Sequence, residues 1–232
     1  MTHEPHARTP RIVIATGNPH KVAELRAILA AQGVDADSLA DLPDPAHEPV
    51  EHGTTFEQNA TSKALAYAAQ TGRFCLADDS GLEIDALHAR PGVISSHYCT
   101  DGVETGLSRA ERDRLNNDRV LRELAGVPPE RRTARFVCVM ALAGPAAQEG
   151  MPSPPAILRL SRGSFEGRIG LPGDVPRGTH GFGYDPLFLV APDFRVTSAE
   201  LDPETKNSLS HRARAAHAMA AQIRPLLVLP PR

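Results

Sequence analysis

The 232-residue chain predicts a mixed α/β fold on three observations. Short apolar runs alternate with helix-period patterns through the first half, as strands joined by crossover helices do. Two apolar runs, Phe136 to Leu142 and Ile157 to Leu160, then follow one another across the Pro/Gly-rich loop from Gly144 to Pro155, as in a long-looped hairpin. Glycines and prolines punctuate nearly every boundary. Strands that alternate with helices early and cluster later make a sheet that is part parallel and part antiparallel. The length admits one sizeable domain or two closely joined lobes.

The elements follow in order. Arg11 to Ala15 reads as a buried strand that ends in Thr16-Gly17-Asn18. A helix comes next, with Val22, Leu25, Ile28 and Leu29 on one face and Gly33 as its stop. The polar, Pro-rich stretch from Asp41 to Gly53 is a loop, and Thr54 with Glu57 has the capping-box spacing to open a second helix through about Gln70. Phe74 to Ala77 is a short buried strand that runs straight into Asp78-Asp79-Ser80-Gly81. Ser108 and Glu111 form a second capping box before a helix carrying Leu115, Leu121 and Leu124, ended by Gly126 and Pro128-Pro129. Tyr184 to Val190 holds a further strand, and Ser208 to Ile223 is an Ala-rich helix. No internal repeat is visible. The polar first ten residues, MTHEPHARTP, read as a frayed tail, which leaves 11–226 as a single domain.

Composition narrows the function. With 25 basic and 28 acidic residues the formal net charge is −3, so no global field draws the chain to polymeric nucleic acid, and a phosphate site has to be built locally. No apolar run approaches the roughly 20 residues that cross a bilayer. The N-terminus lacks the apolar core of a signal peptide. Cys75, Cys99 and Cys138 have no CxxC spacing, and Cys75 and Cys138 lie in apolar runs, as small buried hydrophobes do in a reducing cytoplasm. The ten histidines show no HExxH or paired Cys/His spacing, which argues against a transition-metal site.

Four segments carry residues suited to chemistry. Thr16-Gly17-Asn18-Pro19-His20-Lys21 places a glycine loop at a helix start, where backbone N–H groups and the helix dipole favour a phosphate and Lys21 adds a point charge. The Walker A spacing is absent, and a plain Asn-capped connection fits equally well. Asp78 and Asp79 end a buried strand, where α/β sheets place ligands. Two adjacent carboxylates need a compensating cation, and magnesium is the natural oxygen-seeking one; the alternative is an exposed Asp-Ser-Gly turn. Because neighbours on a strand face opposite ways, one of the two enters a given cleft. Gly178 to Pro186 sets glycines beside Phe182 and Tyr184 in a chain only 4% aromatic, so a flat base could stack there; a Gly-rich turn with Phe182 in the core is the commoner arrangement. Ser210-His211-Arg212 offers donors to a base or phosphate, or else a polar first helical turn. Lys63 and Lys206 would by themselves be solvated surface lysines.

Together and in order, these segments resemble the ITPase-like family of non-standard purine nucleoside-triphosphate pyrophosphatases, the Ham1/RdgB type. The residues that carry the likeness are TGNPHK at 16–21, EHGTTFEQNATSKA at 51–64, ADDSGLEIDAL at 77–87, PGVISSHY at 91–98, ARFVCVMAL at 134–142, GFGYDPLF at 181–188 and SHRARA at 210–215. They span about residues 11 to 224. The resemblance implies two lobes flanking an active-site cleft, usually in a homodimer. It also implies cleavage between the α- and β-phosphates of ITP, dITP or XTP to give the monophosphate and pyrophosphate. By matching position, Thr16, Gly17, Asn18, Pro19, His20 and Lys21 would hold the triphosphate and sugar, joined by Lys63. Glu51 and Asp79 would bind Mg²⁺, with Asp79 also the proton acceptor for the attacking water. Ser80 would contact substrate, and Phe182, Gly183, Tyr184, Asp185, Lys206, His211 and Arg212 would enclose and read the base.

Two positions depart from the family pattern. His97 stands where relatives usually carry Arg or Lys, which weakens any phosphate contact there. Gln58 stands where many carry Glu; the preferred reading is a residue that stabilises the helix start and does not touch the metal. Other readings are a Maf-type pyrophosphatase acting on other bases, a nucleotide-binding protein with impaired catalysis, and an NTPase releasing orthophosphate. The GFGYDP and SHR segments, the retained Glu51, Asp79, Lys21 and Lys63, and the missing Walker A loop argue against these in turn.

Overall fold

A computed structural model describes residues 11–145 and 154–227. The expected N-terminal tail and the middle of the 144–155 loop lie outside the described residues. Seven strands form one sheet: β1 (Ile12–Ile14), β2 (Ala36–Ser38), β3 (Cys75–Ile84), β4 (Arg90–Pro91), β5 (Thr133–Gly144), β6 (Ala156–Ile169) and β7 (Phe188–Val190). Five helices accompany them: α1 (Pro19–Ala31), α2 (Phe56–Thr71), α3 (Arg109–Glu123), α4 (Pro203–Leu209) and α5 (His211–Leu227). The strand order is β2-β1-β3-β5-β6-β7, with β4 beside β3. β1 pairs parallel with β2 and β3, and the β3, β5, β6 and β7 ladders are antiparallel. The mixed sheet is therefore as the sequence predicts. Among the described residues no helix is long and apolar enough to cross a membrane.

Three long strands organise the molecule. β3, β5 and β6 have 10, 12 and 14 residues, well beyond the common strand length, so each crosses two separate cores. At one end the sheet is covered on both faces. Leu76, Cys138, Met140 and Leu142 pack with α1 and α5 on one side, and Cys75, Ala77, Val139 and Ala141 pack with α2 on the other. At the far end Leu82, Ile84, Ala134 and Phe136 join Val120, Leu124, Tyr184 and Phe188 in a second lobe. Between these cores β3 carries Asp78-Asp79-Ser80. The polar stretch marks the seam.

Several boundaries differ from the sequence expectation. β3 does not stop at Ala77; it continues through both aspartates to Ile84 in register with β5, Asp78 opposite Met140 and Asp79 opposite Val139. The apolar run ends where the seam begins, and the strand does not. α2 is capped by Thr55, whose hydroxyl accepts from Gln58 N, while Gln58 Oε1 accepts from Thr54 N at 2.8 Å. The cap is thus one residue later than expected and no reciprocal box closes, while Gln58 serves the helix start through Thr54; Glu57 instead meets Arg162. Residues 185–187 form a 3-10 turn, which confines the predicted Tyr184–Val190 strand to its last three residues. The C-terminal helix is two helices, because Ser210 is extended (φ −65°, ψ 159°) and its hydroxyl caps Ala213 N. The Ser108–Glu111 capping box stands as read.

The second lobe is tied by a buried arginine. Arg132 donates to the carbonyls of Val127, Gly170 and Leu124 at 2.7–2.9 Å, closing the turn after α3 onto the end of β6. Arg132→Met removes the guanidinium donor from three carbonyls, of which Leu124 O keeps only the Val127 N–H. Its unfolding free energy falls by about 3 kcal/mol, read as a lower urea midpoint at unchanged slope; a loss of a few tenths would contradict this.

Candidate active site

A cleft of about 500 Å³ opens at the seam between the lobes. Its size suits a nucleotide. Of the sequence-predicted residues, Thr16, Gly17, Asn18, Lys21, Glu51, Lys63, Asp79, Ser80, Phe182, Gly183, Tyr184, Asp185, Lys206, His211 and Arg212 all line it. Pro19 and His20 do not: Pro19 is in the first turn of α1, and His20 is exposed with its ring 6.1 Å from Phe182.

The strand alternation separates the two aspartates. Asp79 faces the cleft and α2, while Asp78 faces α1 and α5. Asp78 is fully buried, with Lys21 Nζ at 2.9 Å and Arg212 Nε at 3.7 Å. Burial opposes its ionisation, but Lys21, Arg212 and Lys63 outweigh burial and hold the carboxyl below the usual range. Asp78 therefore anchors cations. It also accepts from the Ser80 hydroxyl, which in turn accepts from Arg212 Nη2 at 3.1 Å. Arg212 is fixed from its other side by Glu24 of α1 at 2.6 Å.

Asp79 lies in a different field. Lys63, reaching from α2, sits 3.0 Å from Glu51 Oε1 and 3.5 Å from Asp79 Oδ1. Burial disfavours its charge, but Asp79, Asp78 and Glu51 together keep the ammonium above its ordinary pKa. The Asp79 carboxyl is raised, first by burial and then by the Glu51 charge, against Lys63 and the Asn59 hydrogen bond. One ammonium shared between two carboxylates leaves Asp79 short of positive charge. Asn59 fixes both partners: its Nδ2 donates to Asp79 Oδ2 at 3.1 Å and its Oδ1 accepts from Gly53 N at 2.8 Å, which holds the loop that presents Glu51.

Asn18 caps α1 at the first loop. Asn18 Oδ1 accepts from His20 N and Lys21 N, and Thr16 Oγ1 accepts from Asn18 N. Those three N–H groups are occupied, and Lys21, paired with Asp78 at 2.9 Å, adds its ammonium to this wall.

At the opposite wall Phe182 is half-buried and lines the cleft, outside the apolar core. Asp185 organises its loop: Oδ2 accepts from Phe182 N and Lys206 Nζ, and Oδ1 accepts from Ser198. Gly181 is required here. Its φ is +79°, and a Cβ would stand 2.1 Å from Asp185 Oδ2. Tyr184 donates its hydroxyl to the Ser95 carbonyl. His211 stacks on Phe136, with ring centroids 5.1 Å apart.

Several site residues escape sequence reading. Glu24, Asn59, Glu48, Arg109, Asp113 and Asn117 belong to the cleft or hold it. Asp113 accepts from Gly183 N and Asn117 donates to Gly183 O, so α3 grips both sides of one glycine. The signal existed as the i, i+4, i+8 spacing of Arg109, Asp113 and Asn117, a polar stripe on one face of α3. His97 makes its bonds to Ser96 and Glu104 on the cleft rim.

The fold and cleft define a class: a mixed-sheet α/β protein whose two lobes present lysines and paired carboxylates to a nucleotide-sized groove. The chain belongs to the Ham1 family, whose model matches residues 12–222. It is 47% identical over 204 residues to a dITP/XTP pyrophosphatase of Nitratidesulfovibrio vulgaris, covering 88% of this chain and 91% of that protein. A second dITP/XTP pyrophosphatase, from an Exiguobacterium species, is 43% identical over 94% of this chain and 98% of its own. A solved HAM1 protein from Coxiella burnetii superposes with a TM-score of 0.73 at 37% identity, over 93% of this chain and 99% of that one.

His211 gives the fold an acid sensitivity. Burial, then the charges of Arg212 and Lys206, push its pKa well below the ordinary 6.5, so the imidazole is neutral when folded. The unfolded chain takes up a proton as pH falls through that ordinary value and the folded chain does not. Stability is complete above about pH 6.5 and declines below it by at most about 1.4 kcal/mol per pH unit. His211→Phe removes this component; an equally steep acid slope in the variant would contradict the assignment.

Proposed function

We propose that the protein is a dITP/XTP pyrophosphatase that hydrolyses ITP, dITP and XTP to the monophosphate and pyrophosphate and so clears them from the nucleotide pool. The observation that carries this reading is the Lys63–Glu51–Asp79 cluster at the seam, within one cleft with Lys21 and Phe182.

The cluster fits a magnesium ion. Its donors are carboxylate oxygens, the Asp79 carboxyl lacks a full complement of positive charge, and both residues line open space. Among the described residues no group of three His, Cys, Asp or Glu side chains is placed to cage a metal, and Mg²⁺ is commonly held by one or two carboxylates together with substrate phosphates. When bound between Glu51 and Asp79 it would neutralise charge on the polyphosphate and polarise the bond to be broken. The chain's own groups do the rest. Lys21 and Lys63 face the phosphates and offset the charge that develops on departing pyrophosphate. Asp79, held by Asn59, orients the attacking water and receives its proton. Phe182 offers its face to the base. Lys206 and Arg212 are donors facing oxo groups, which the amine of adenine cannot satisfy.

A homodimer and a cytoplasmic setting are carried by the family resemblance. Light scattering checks the first, and a monomer at working concentration contradicts it.

A panel of purine triphosphates with products identified by mass gives pyrophosphate from dITP and XTP and much slower turnover of dATP and dGTP. Orthophosphate as first product, or equal rates on all purines, would reject the reading. Asp79→Asn lowers kcat by a factor of roughly 10² or more; undiminished turnover removes Asp79 from the reaction.

A further inference from the structure

Phe182 stands between two cations that are neutralised to different degrees. Lys206 Nζ lies 5.7 Å from the ring centroid and is bonded at 2.6 Å to Asp185, with both groups nearly buried. The Arg109 guanidinium, at the start of α3, lies closer, 4.6 Å from the same centroid. Its nearest acid is Asp113, 4.0 Å from Nε, and that carboxylate oxygen already accepts the Gly183 N–H at 3.0 Å. Among the described residues this long pair with Asp113 is the one acid contact of Arg109, so its charge reaches the Phe182 wall only partly cancelled. The other charged groups nearby do not reverse this. Arg112, one turn on, also lines the cleft, with Nη1 on Glu104 and Nε buried without a partner among the described residues. His97 shares Glu104, and His20 approaches Phe182 from α1.

We propose that Arg109 is a specificity-determining residue of the base site, favouring a purine ring that carries negative charge, the xanthine of XTP, over the neutral hypoxanthine of ITP. This rests on the pyrophosphatase reading above. Xanthine bears two oxo groups, so a xanthine nucleoside releases a ring proton near neutral pH and spreads the charge over both oxygens. Hypoxanthine, with one oxo group, keeps its proton until more alkaline pH. The Arg109 guanidinium lies over one face of the Phe182 ring, so a base stacked on the other face lies within one Debye length (about 8 Å) of it, where the positive charge stabilises the xanthine anion and leaves neutral hypoxanthine nearly unaffected. Arg109 is 41% exposed, so solvent screens the effect. A preference of about three- to tenfold is what such a partly screened pair sustains.

The test measures kcat/KM for XTP and ITP, which share one sugar, from acid to mildly alkaline pH on the full-length protein. In the wild type the XTP/ITP ratio climbs as xanthine ionises. Arg109→Gln lowers the ratio at neutral pH by about three- to tenfold, chiefly through KM, and flattens its rise. Arg109→Lys, which keeps the charge, retains most of both. Arg114→Gln, on the exposed side of α3 and paired with Asp118, moves neither. Circular dichroism confirms that each variant is folded. A ratio and pH rise in Arg109→Gln within about twofold of wild type overturns the proposal while leaving the pyrophosphatase reading intact. A wild-type protein inactive on both substrates sinks that reading and this one together.

Discussion

The site depends on one lysine held among carboxylates at the seam of two cores. Lys63 is nearly buried, and an isolated ammonium there would be strongly disfavoured. It persists because Glu51 and Asp79 stand 3.0 and 3.5 Å away and Asp78 adds its field from the other face of β3. The same arrangement leaves Asp79 undercompensated. A part-buried cluster with surplus negative charge, open to the cleft at Glu51, is poised for a further cation, and a cation there is poised for a polyanion. Packing, electrostatics and chemistry meet at this one contact.

The long strands make the contact possible. Because β3 runs unbroken from the first core to the second, its polar middle is fixed by ladder bonds to β5 on a rigid element, not carried on a turn. Strand alternation then divides the labour. Asp78 turns towards Lys21 and Arg212 and locks α1 and α5 to the sheet; Asp79 turns towards the cleft. Gly81 completes the seam, since a Cβ there would stand 2.4 Å from the Ser95 hydroxyl that accepts the Leu82 N–H. The second lobe is held by a comparable economy of contacts, with Arg132 closing its base and Asp113 and Asn117 fixing Gly183 at the mouth.

Much of this was legible in the sequence, and the failures have physical causes. The mixed sheet, the Asn18 cap, the Ser108 box and the opposed aspartates follow from period and local chemistry, which act over a few residues. The continuation of β3 through Asp78 and Asp79 was not legible, because apolar alternation stops where the strand leaves a core and only pairing with β5 sustains it. The Tyr184–Val190 run is a strand only in its last three residues, because Asp185 bends its first half, accepting Phe182 N and Lys206 in a network that joins distant segments. The site residues Thr16 to Asn18, Lys21, Lys63, Asp79 and the Phe182–Asp185 group were placed by motif and do converge on one cleft. Asn59, Glu24 and Asp113 were missed because each acts on another residue, and partners 20, 188 and 70 positions away leave no local pattern.

The most direct test is a crystal structure with a non-hydrolysable inosine triphosphate analogue and Mn²⁺ located by anomalous scattering. The account places the metal against Glu51 and Asp79, the phosphates along Lys21 and Lys63, and the base on Phe182. A nucleotide bound elsewhere, with those two carboxylates facing only solvent and Lys63, would contradict it.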